Sequence, residues 1–265
     1  MSSTHGLVIG VASAHEVVMR VRLRVVGSAK GLLTEVLYVS GDGEAVTTTL
    51  GDVDEVRLLQ GLPVRPARSH RGSTHYSGWF WSATQGAHLV FESRLEHDRL
   101  LMADFDPDVQ VLATQPLWLQ GSDRGVRRRH VPDVLVETRS GVVLADVKPA
   151  EFVKQPEVAA VLMWTARLCA MRGWRYEVWS EPDPAVLANL RLLSAARRTT
   201  PDAGSIATLA TVHPDGCTIG EATRAVAALS ITPARLTVLW LLWAGRWTAD
   251  LTRPLSDATV LSVGA

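Results

Sequence analysis

The sequence predicts a mixed α/β (α+β) protein whose main body is a mixed sheet flanked by helices. The chain has 265 residues, of which 47% are hydrophobic and 20% charged, as is typical of a globular protein with a large core. Runs with the two-residue alternation of strands are interspersed with runs that carry helix start and stop signals. The central elements follow the order helix, three strands, helix, strand, helix, which favours a sheet covered by helices.

The composition excludes several classes of protein. The two cysteines, Cys169 and Cys217, are too few for a disulfide scaffold. The first cationic residue is Arg20, and the longest apolar run without a charge, residues 236–245, is too short to span a bilayer. We therefore expect a cytoplasmic protein that is neither secreted nor inserted in a membrane. Because 27 basic side chains balance 27 acidic ones, any role on DNA must depend on a local site.

The first 66 residues predict a small β-rich N-terminal lobe. Apolar and polar residues alternate in 17–26 and again around 33–39, and Asp42-Gly43 is a typical hairpin turn. The two prolines Pro63 and Pro66 and the polar, basic run 68–75 then predict a linker.

Residues 67–198 predict the main sheet and its helices. A helix is expected from about His88 to Ala103, followed by extended runs at 109–119, 131–138 and 142–147. The tight Arg139-Ser140-Gly141 connection makes the last two runs a hairpin. The remaining predicted elements are a helix from Pro156 to the residue before Gly173, a strand over 174–179, and a helix that Asp183-Pro184 begins and that runs to Arg198.

Residues 199–265 predict a third domain. Thr218 and Glu221 form a capping-box start, Thr232-Pro233 begins a further helix, and residues 246–251 and 258–263 can pair as a hairpin. Three helices followed by a hairpin are the plan of a winged helix. A plain helical cap on the central sheet is the alternative.

The central hairpin places acidic residues together with a lysine. Asp146 and Lys148 are two apart on one strand, so their side chains leave the same face of the sheet. A turn centred on Arg139 and Ser140 pairs Asp133 with Asp146, and moving the turn by one residue pairs Asp133 with Lys148 instead. Two carboxylates on opposite strands repel each other, so a divalent cation between them is the natural explanation.

The oxygen atoms available at this predicted site indicate which divalent cation would bind there. Two carboxylates, the backbone carbonyl of Val147 and waters suit Mg²⁺, for which Mn²⁺ can substitute. The chain has only three lysines, and the ammonium of Lys148 would lie beside the attacking water or the charge that develops on a phosphate. The pattern predicts metal-assisted hydrolysis of a phosphodiester.

The sequence offers further candidate residues, each with two interpretations. A third carboxylate should come from the preceding helix, where Glu92 and Glu96 share one stripe, and the choice between them stays open. The run Arg127, Arg128 and Arg129 could bind DNA phosphates, or it could be a solvated charge run in a loop. His130 could face the site, or it could bond locally.

Several of these segments resemble one family. They are Ser93-Arg-Leu-Glu96, Asp104-Phe-Asp-Pro-Asp-Val109, Gln115-Pro116, His130-Val-Pro-Asp133 and Asp146-Val-Lys148-Pro149. Over about residues 75–198 the chain resembles the TnsA-type endonuclease subunit of heteromeric, TnsABC-type transposases, especially those of actinobacteria. The resemblance implies a restriction-endonuclease-like core of the PD-(D/E)xK superfamily. It also implies that Glu96, rather than Glu92, binds metal with Asp133 and Asp146, and that Lys148 is the catalytic lysine.

The resemblance also implies a function. The expected activity is a Mg²⁺-dependent DNA endonuclease subunit that cuts double-stranded DNA on the 5′ side of transposon ends in a bacterial cytoplasm, associating with the nucleoid when active. The implied partners are a TnsB-like transposase subunit with its own acidic triad and a TnsC-like ATPase regulator. The alternatives are a stand-alone restriction, repair or defence nuclease of the same fold, and a catalytically idle DNA-binding adaptor.

Overall fold

The structure is a computed structural model that describes residues 16–20, 29–65, 76–198 and 200–264. Most of the predicted linker, from residue 66 to residue 75, lies outside the described residues, as does the part of the first predicted strand from residue 21 to residue 26. The chain forms two compact units. Unit 1 comprises residues 1–103 and 108–181, and unit 2 comprises 104–107 and 182–265.

Unit 1 contains most of the strands. In chain order its elements are β1 (Glu16–Arg20), a 3-10 helix (Ala29–Leu33), β2 (Glu35–Val39), β3 (Ala45–Thr49), α1 (Glu55–Leu59), β4 (Gly78–Ser82), β5 (Ala87–Phe91), α2 (Arg94–Phe105), β6 (Val109–Thr114), β7 (Trp118–Asp123), β8 (Val126–His130), β9 (Val134–Thr138), β10 (Gly141–Val147), α3 (Ala150–Val153), α4 (Pro156–Arg172) and β11 (Arg175–Pro182). The last residues of α2 and β11 fall in unit 2.

The central sheet of unit 1 is mixed, as predicted. Its strand order is β1-β11-β10-β9-β6, in which β10 runs parallel to β11 and antiparallel to β9. A second sheet has the order β3-β2-β7-β8, and β4 and β5 pair as a hairpin. The apolar face of the central sheet packs with buried residues of α4 such as Leu162, Trp164 and Leu168. The predicted α+β fold class is therefore confirmed.

The second sheet joins segments that the sequence placed in different domains. Strands β2 and β3 come from the predicted N-terminal lobe, and β7 and β8 from the predicted core. The three-part division at residues 66 and 198 stays a prediction. The two compact units instead join most of its first two parts and begin the last part at residue 182.

Three predicted elements need correction. The helix expected from His88 begins only at Arg94, because residues 87–91 pair with β4 as a strand. The extended run 109–119 is two strands, separated at Gln115, whose φ of 47° breaks the extended backbone. The helix expected to reach Arg198 ends at Leu193.

Two strands were not predicted at all: β4, which pairs with β5, and β8. Residues 126–130 form β8, which pairs with β7 across a turn at Arg124 and Gly125. Both turn residues have positive φ, as a tight hairpin requires.

Unit 2 is mainly helical. Its elements are α5 (Pro184–Leu193), α6 (Ala203–Leu209), α7 (Ile219–Ala228), α8 (Ala234–Trp243), β12 (Trp247–Thr248) and β13 (Ser262–Val263). Helix α7 begins at the predicted capping box of Thr218 and Glu221, and β12 pairs with β13. From Thr237 to Trp243 every residue of α8 is buried. The winged-helix assignment stays a prediction.

Candidate active site

The β9–β10 hairpin brings Asp133 and Asp146 together. Thr138 pairs with Gly141 and Val134 with Ala145, which is the first of the two registers considered for this hairpin. The last regular pair is Val134 with Ala145, and beyond it the Asp133 amide also donates to the Ala145 carbonyl at 3.1 Å. In this register Asp133 follows the last pair on the side of Asp146, and the ladder does not pair it with Lys148.

The ammonium of Lys148 lies between these carboxylates. Its Nζ donates to Oδ2 of Asp133 at 2.6 Å and to the Val147 carbonyl oxygen at 3.1 Å, and it lies 3.9 Å from Oδ1 of Asp146. These three oxygens belong to three of the four groups that the sequence assigns to a metal. In the structure, the position surrounded by these three oxygens is therefore occupied by the ammonium group of Lys148.

Burial and neighbouring charges shift the pKa of Asp133. The carboxylate accepts hydrogen bonds from the Lys148 ammonium and from the Val147 amide, the latter at 2.7 Å. Burial raises the pKa of Asp133 above its ordinary value, and the neighbouring Asp146 adds to the rise, although Lys148 opposes both effects. The same two carboxylates outweigh burial at Lys148 and raise the pKa of its ammonium.

Asp146 is completely buried and has partners on both oxygens. The Nε2 atom of His130 lies 2.9 Å from each oxygen, and the Tyr176 hydroxyl donates to Oδ2. Burial would raise the pKa of Asp146, but His130, Lys148 and Tyr176 together hold that pKa below its ordinary value. His130 therefore faces the site, one of the two possibilities that the sequence left open. Tyr176 was missed, because nothing in the sequence of a strand beyond α4 points to this contact.

The two candidate glutamates have different surroundings, because Glu92 lies before α2 and Glu96 lies in its first turn. Glu92 is paired with Arg65 at 3.4 Å. Glu96 accepts from the Glu92 amide at 2.8 Å and from the Ser93 hydroxyl at 3.0 Å, while the Ser93 hydroxyl accepts from the Glu96 amide. Burial, with Asp133 as a second cause, raises the pKa of Glu96 to about 7. Glu96 thus contributes to the start of α2, and its pKa also responds to the negative charge of Asp133.

The three consecutive arginines are divided by the strand that carries them. Arg127 and Arg129 are exposed, and the Arg129 guanidinium lies 4.0 Å from the centre of the Trp118 ring. Arg128 points to the other face of β8, where its Nε lies 3.9 Å from Asp123. The run does not lie in a loop, because it belongs to a paired strand, and its role in DNA binding stays a prediction.

Gln115 is a further polar residue beside the site. Its amide donates to the Asp133 carbonyl at 2.8 Å, and its side chain is 1% exposed. Among the residues that the structure describes, neither polar atom of that side chain has a hydrogen-bond partner, and the same holds for the buried Thr114 hydroxyl. Buried polar atoms without partners are uncommon in folded proteins and are frequent at sites that bind an ion or water.

The donor set fits a hydrated magnesium ion. Asp133, Asp146 and the Val147 carbonyl supply hard oxygen atoms around a position that already accommodates an ammonium group. Among the residues that the structure describes, no group of three or more His, Cys, Asp or Glu side chains could hold a metal ion.

Comparison with known protein families decides what kind of domain this is. Residues 106–181 match the family described as TnsA-like endonuclease N terminal. These residues form a TnsA-like endonuclease domain of the PD-(D/E)xK type. The match includes Asp133, Asp146 and Lys148, and it ends before the C-terminal helices. Glu96 lies outside the matched residues.

Two further findings complete the comparison. A search of the curated proteins gives no match to the chain. Within the described parts of the structure, no helix has the length and apolar character needed to cross a membrane.

Proposed function

We propose that this TnsA-like protein is the Mg²⁺-dependent DNA endonuclease subunit of a heteromeric transposase. In this proposal it hydrolyses one phosphodiester on the 5′ side of each transposon end. A TnsB-like subunit with its own acidic triad acts on the 3′ ends, and a TnsC-like ATPase regulates the assembly. The match to the TnsA-like endonuclease family supports nuclease activity, and the other parts of the proposal rest on the resemblance described above.

One observation carries the metal-dependent part of the proposal. The Lys148 ammonium contacts Asp133 Oδ2 and the Val147 carbonyl and lies near Asp146 Oδ1. Two buried carboxylates that face each other are costly unless a cation lies between them. A position that satisfies one cation with three oxygens of this geometry is chemically suited to another cation.

The residues of the site have distinct roles in this proposal. Asp133, Asp146 and the Val147 carbonyl hold Mg²⁺, and Glu96 contributes a carboxylate through a water or directly. When bound, Mg²⁺ supplies Lewis-acid chemistry, polarising the phosphate and activating water. Lys148 then has its ammonium available for the attacking water or for the charge on the scissile phosphate, and its raised pKa keeps it protonated.

The metal requirement is the direct test of this function. Cleavage of a transposon-end duplex by the protein, with its transposase partner present if the lone chain is silent, should proceed with Mg²⁺ or Mn²⁺ and stop with Ca²⁺. Calcium accepts longer and looser coordination, so it should preserve DNA binding while positioning the attacking water poorly. A strong chelator should abolish cleavage.

The rival functions correspond to other outcomes. Activity that a strong chelator leaves undiminished would refute the metal mechanism. DNA binding without cleavage in the complete, metal-supplied assembly would favour the idle adaptor. Efficient cleavage of DNA without transposon ends and without partners would favour a stand-alone nuclease of the same fold.

A further inference from the structure

Two side chains from separate strands fix the Asp146 carboxylate. His130 ends β8 in the second sheet, and Tyr176 lies on β11, next to β10 in the central sheet. A carboxylate can only accept hydrogen bonds, so the His130 Nε2 atom must carry the proton that it shares between the two oxygens. The Tyr176 hydroxyl donates to Oδ2 only. Asp146 is thus held from two directions.

The two oxygens of Asp146 are consequently different. Oδ2 receives both the hydroxyl and a share of the imidazole proton. From the described part of the chain, Oδ1 receives a hydrogen bond only from the imidazole, and it is the oxygen that lies 3.9 Å from the Lys148 ammonium. The oxygen with fewer hydrogen bonds, Oδ1, therefore faces the position that the Lys148 ammonium occupies. If the carboxylate rotated, the oxygen already bonded to Tyr176 would turn toward the cation.

We propose that His130 and Tyr176 are positioning residues that fix the Asp146 carboxylate with Oδ1 turned toward the divalent cation. This inference rests on the proposed function. Neither side chain touches the cation or the DNA in this role. Their effect on metal binding is indirect and depends on the donor atom of each: the Nε2 proton of His130 and the hydroxyl proton of Tyr176. Residues that orient metal ligands in this way typically contribute about 10–100-fold to metal affinity or activity.

A purely structural role makes a different prediction. His130 connects a strand of the second sheet to the buried Asp146, so its loss could lower the stability of unit 1 without any effect on the orientation of the carboxylate. Stability and metal affinity must therefore be measured separately. A variant that keeps the donor but changes the ring also separates the two roles, because glutamine can place an amide donor near the position of Nε2.

The experiment measures Ca²⁺ binding to the folded full-length chain by isothermal titration calorimetry. Calcium is the probe because cleavage is not required for the readout. We expect Tyr176→Phe to weaken Ca²⁺ binding by about 10-fold and His130→Leu by about 10–100-fold. His130→Gln should recover most of the affinity that His130→Leu loses. The matched controls are Tyr76→Phe and His213→Leu, which alter an exposed tyrosine and an exposed histidine and should leave the affinity unchanged.

Each result has a defined meaning. If Asp146→Ala loses Ca²⁺ binding while Tyr176→Phe and His130→Leu keep the affinity of the unaltered protein, the positioning roles are wrong and the proposed metal site stands. If the unaltered protein binds no Ca²⁺ or Mn²⁺, the proposed function itself is wrong. Should His130→Leu fail to fold, Tyr176→Phe decides alone, since it removes one hydroxyl from a buried ring.

Discussion

Two helices, one in each unit, begin with a hydroxyl residue that accepts from the amide of a glutamate three residues later, but the pKa values of the two glutamates shift in opposite directions. In α2 the Glu96 amide donates to the Ser93 hydroxyl, and the Glu96 carboxylate accepts from the Glu92 amide. In α7 Thr218 and Glu221 form a complete capping box, in which the Glu221 carboxylate accepts from the Thr218 amide. The pKa of Glu221 is lowered by its hydrogen bonds to Thr218, whereas burial and Asp133 raise the pKa of Glu96.

The difference extends to the units themselves. Unit 1 buries charged groups, including Asp133 and Asp146, around one ammonium. The helix α8 of unit 2 buries apolar side chains such as Trp240 and Trp243. Apolar burial stabilises a fold directly, whereas buried charges cost free energy unless they are paired and hydrogen-bonded. The hydroxyl–glutamate pair of α7 therefore stabilises only the start of its helix. The corresponding pair of α2 also lies close to the charges of Asp133 and Lys148.

The largest expected effect comes from the charges of unit 1. Asp146→Ala and Lys148→Ala should each reduce cleavage by at least about 10²–10³-fold, because each removes a group that stabilises the developing charge or holds the cation. Cleavage of a transposon-end duplex at saturating Mg²⁺ is the measurement. Circular dichroism should show that Asp146→Ala keeps the fold largely intact, since removing one carboxylate also relieves repulsion. Lys148→Ala leaves the two carboxylates without their ammonium, so its cleavage is compared at a saturating Mg²⁺ concentration at which circular dichroism shows it folded.

The control for this prediction is another lysine. Lys154 is exposed and lies six residues beyond Lys148, so Lys154→Ala should cleave at the rate of the unaltered protein. Robust nicking by Asp146→Ala, in the reconstituted transposase if necessary, would remove Asp146 from the proposed site.

The parts of this site that the sequence predicts are those set by local geometry. Asp133 and Asp146 lie on one hairpin, and the short connection before Gly141 fixes their register. The contact between His130 and Asp146 joins strands of two different sheets, so no spacing along the chain determines it. Tyr176 reaches the site only because β11 pairs in parallel with β10 after the α4 crossover.

The errors in the fold predicted from the sequence have similar causes. Residues 88–91 are apolar enough to read as the first turn of a helix, and only their pairing with β4 makes them a strand. Strand β8 was missed because its three arginines give no apolar alternation. Its turn at Arg124 and Gly125 was the available signal, since glycine readily adopts the positive φ of a tight hairpin.

A pH series sharpens the comparison of the two capping glutamates. The folded pKa of Glu96 is raised, so its contribution to stability is fully present below the unfolded value of about 4.5 and is lost as the pH rises through about 7. Glu96→Gln keeps a capping side chain and removes the charge. We therefore compare the free energy of unfolding of Glu96→Gln with that of the unaltered protein. The difference in favour of Glu96→Gln should increase from pH 5 to pH 9, by at most about 3 kcal/mol.

The matched control is Glu221→Gln in unit 2, measured by urea unfolding under the same metal-free conditions. The folded pKa of Glu221 is lowered, so its carboxylate stabilises the fold above its unfolded pKa, and its replacement should be slightly destabilising at neutral pH. An equal effect of Glu96→Gln at pH 5 and pH 9 would contradict the raised pKa.

The arginines of β8 give a smaller, graded effect on DNA binding. Arg127 and Arg129 are exposed on one face, whereas Arg128 faces Asp123. In Ca²⁺, Arg127→Gln and Arg129→Gln should each lower the slope of log Kd against log salt by about 1, as expected for one phosphate contact. Arg128→Gln should leave that slope unchanged. A decrease in slope for Arg128→Gln alone would reverse the assignment.

Unit 2 should show the smallest effect on DNA, because its four C-terminal arginines already have neighbours. Arg235 pairs with Asp257, Arg253 lies 3.8 Å from Asp250, Arg246 lies 5.3 Å from the Trp240 ring, and Arg224 is close enough to lower the pKa of Glu221. Helix α8 is buried from Thr237 onward, so it presents no exposed face there for a DNA groove. These observations argue against DNA binding by the C-terminal region from about residue 200, and we expect this region to dock on protein instead.

Point changes test this last expectation better than a deletion, because a cut at residue 200 would divide unit 2. Val260 and Val263 are 56% and 54% exposed near β13, so Val260→Asp with Val263→Asp should weaken association with the TnsB-like or TnsC-like partner in a pull-down of purified proteins. Arg224→Gln with Arg246→Gln should change DNA affinity by less than about 2-fold, since too few phosphates would be neutralised. If the arginine pair instead removes a steep salt dependence while the valine pair leaves partner binding intact, the region reads DNA and does not dock on protein.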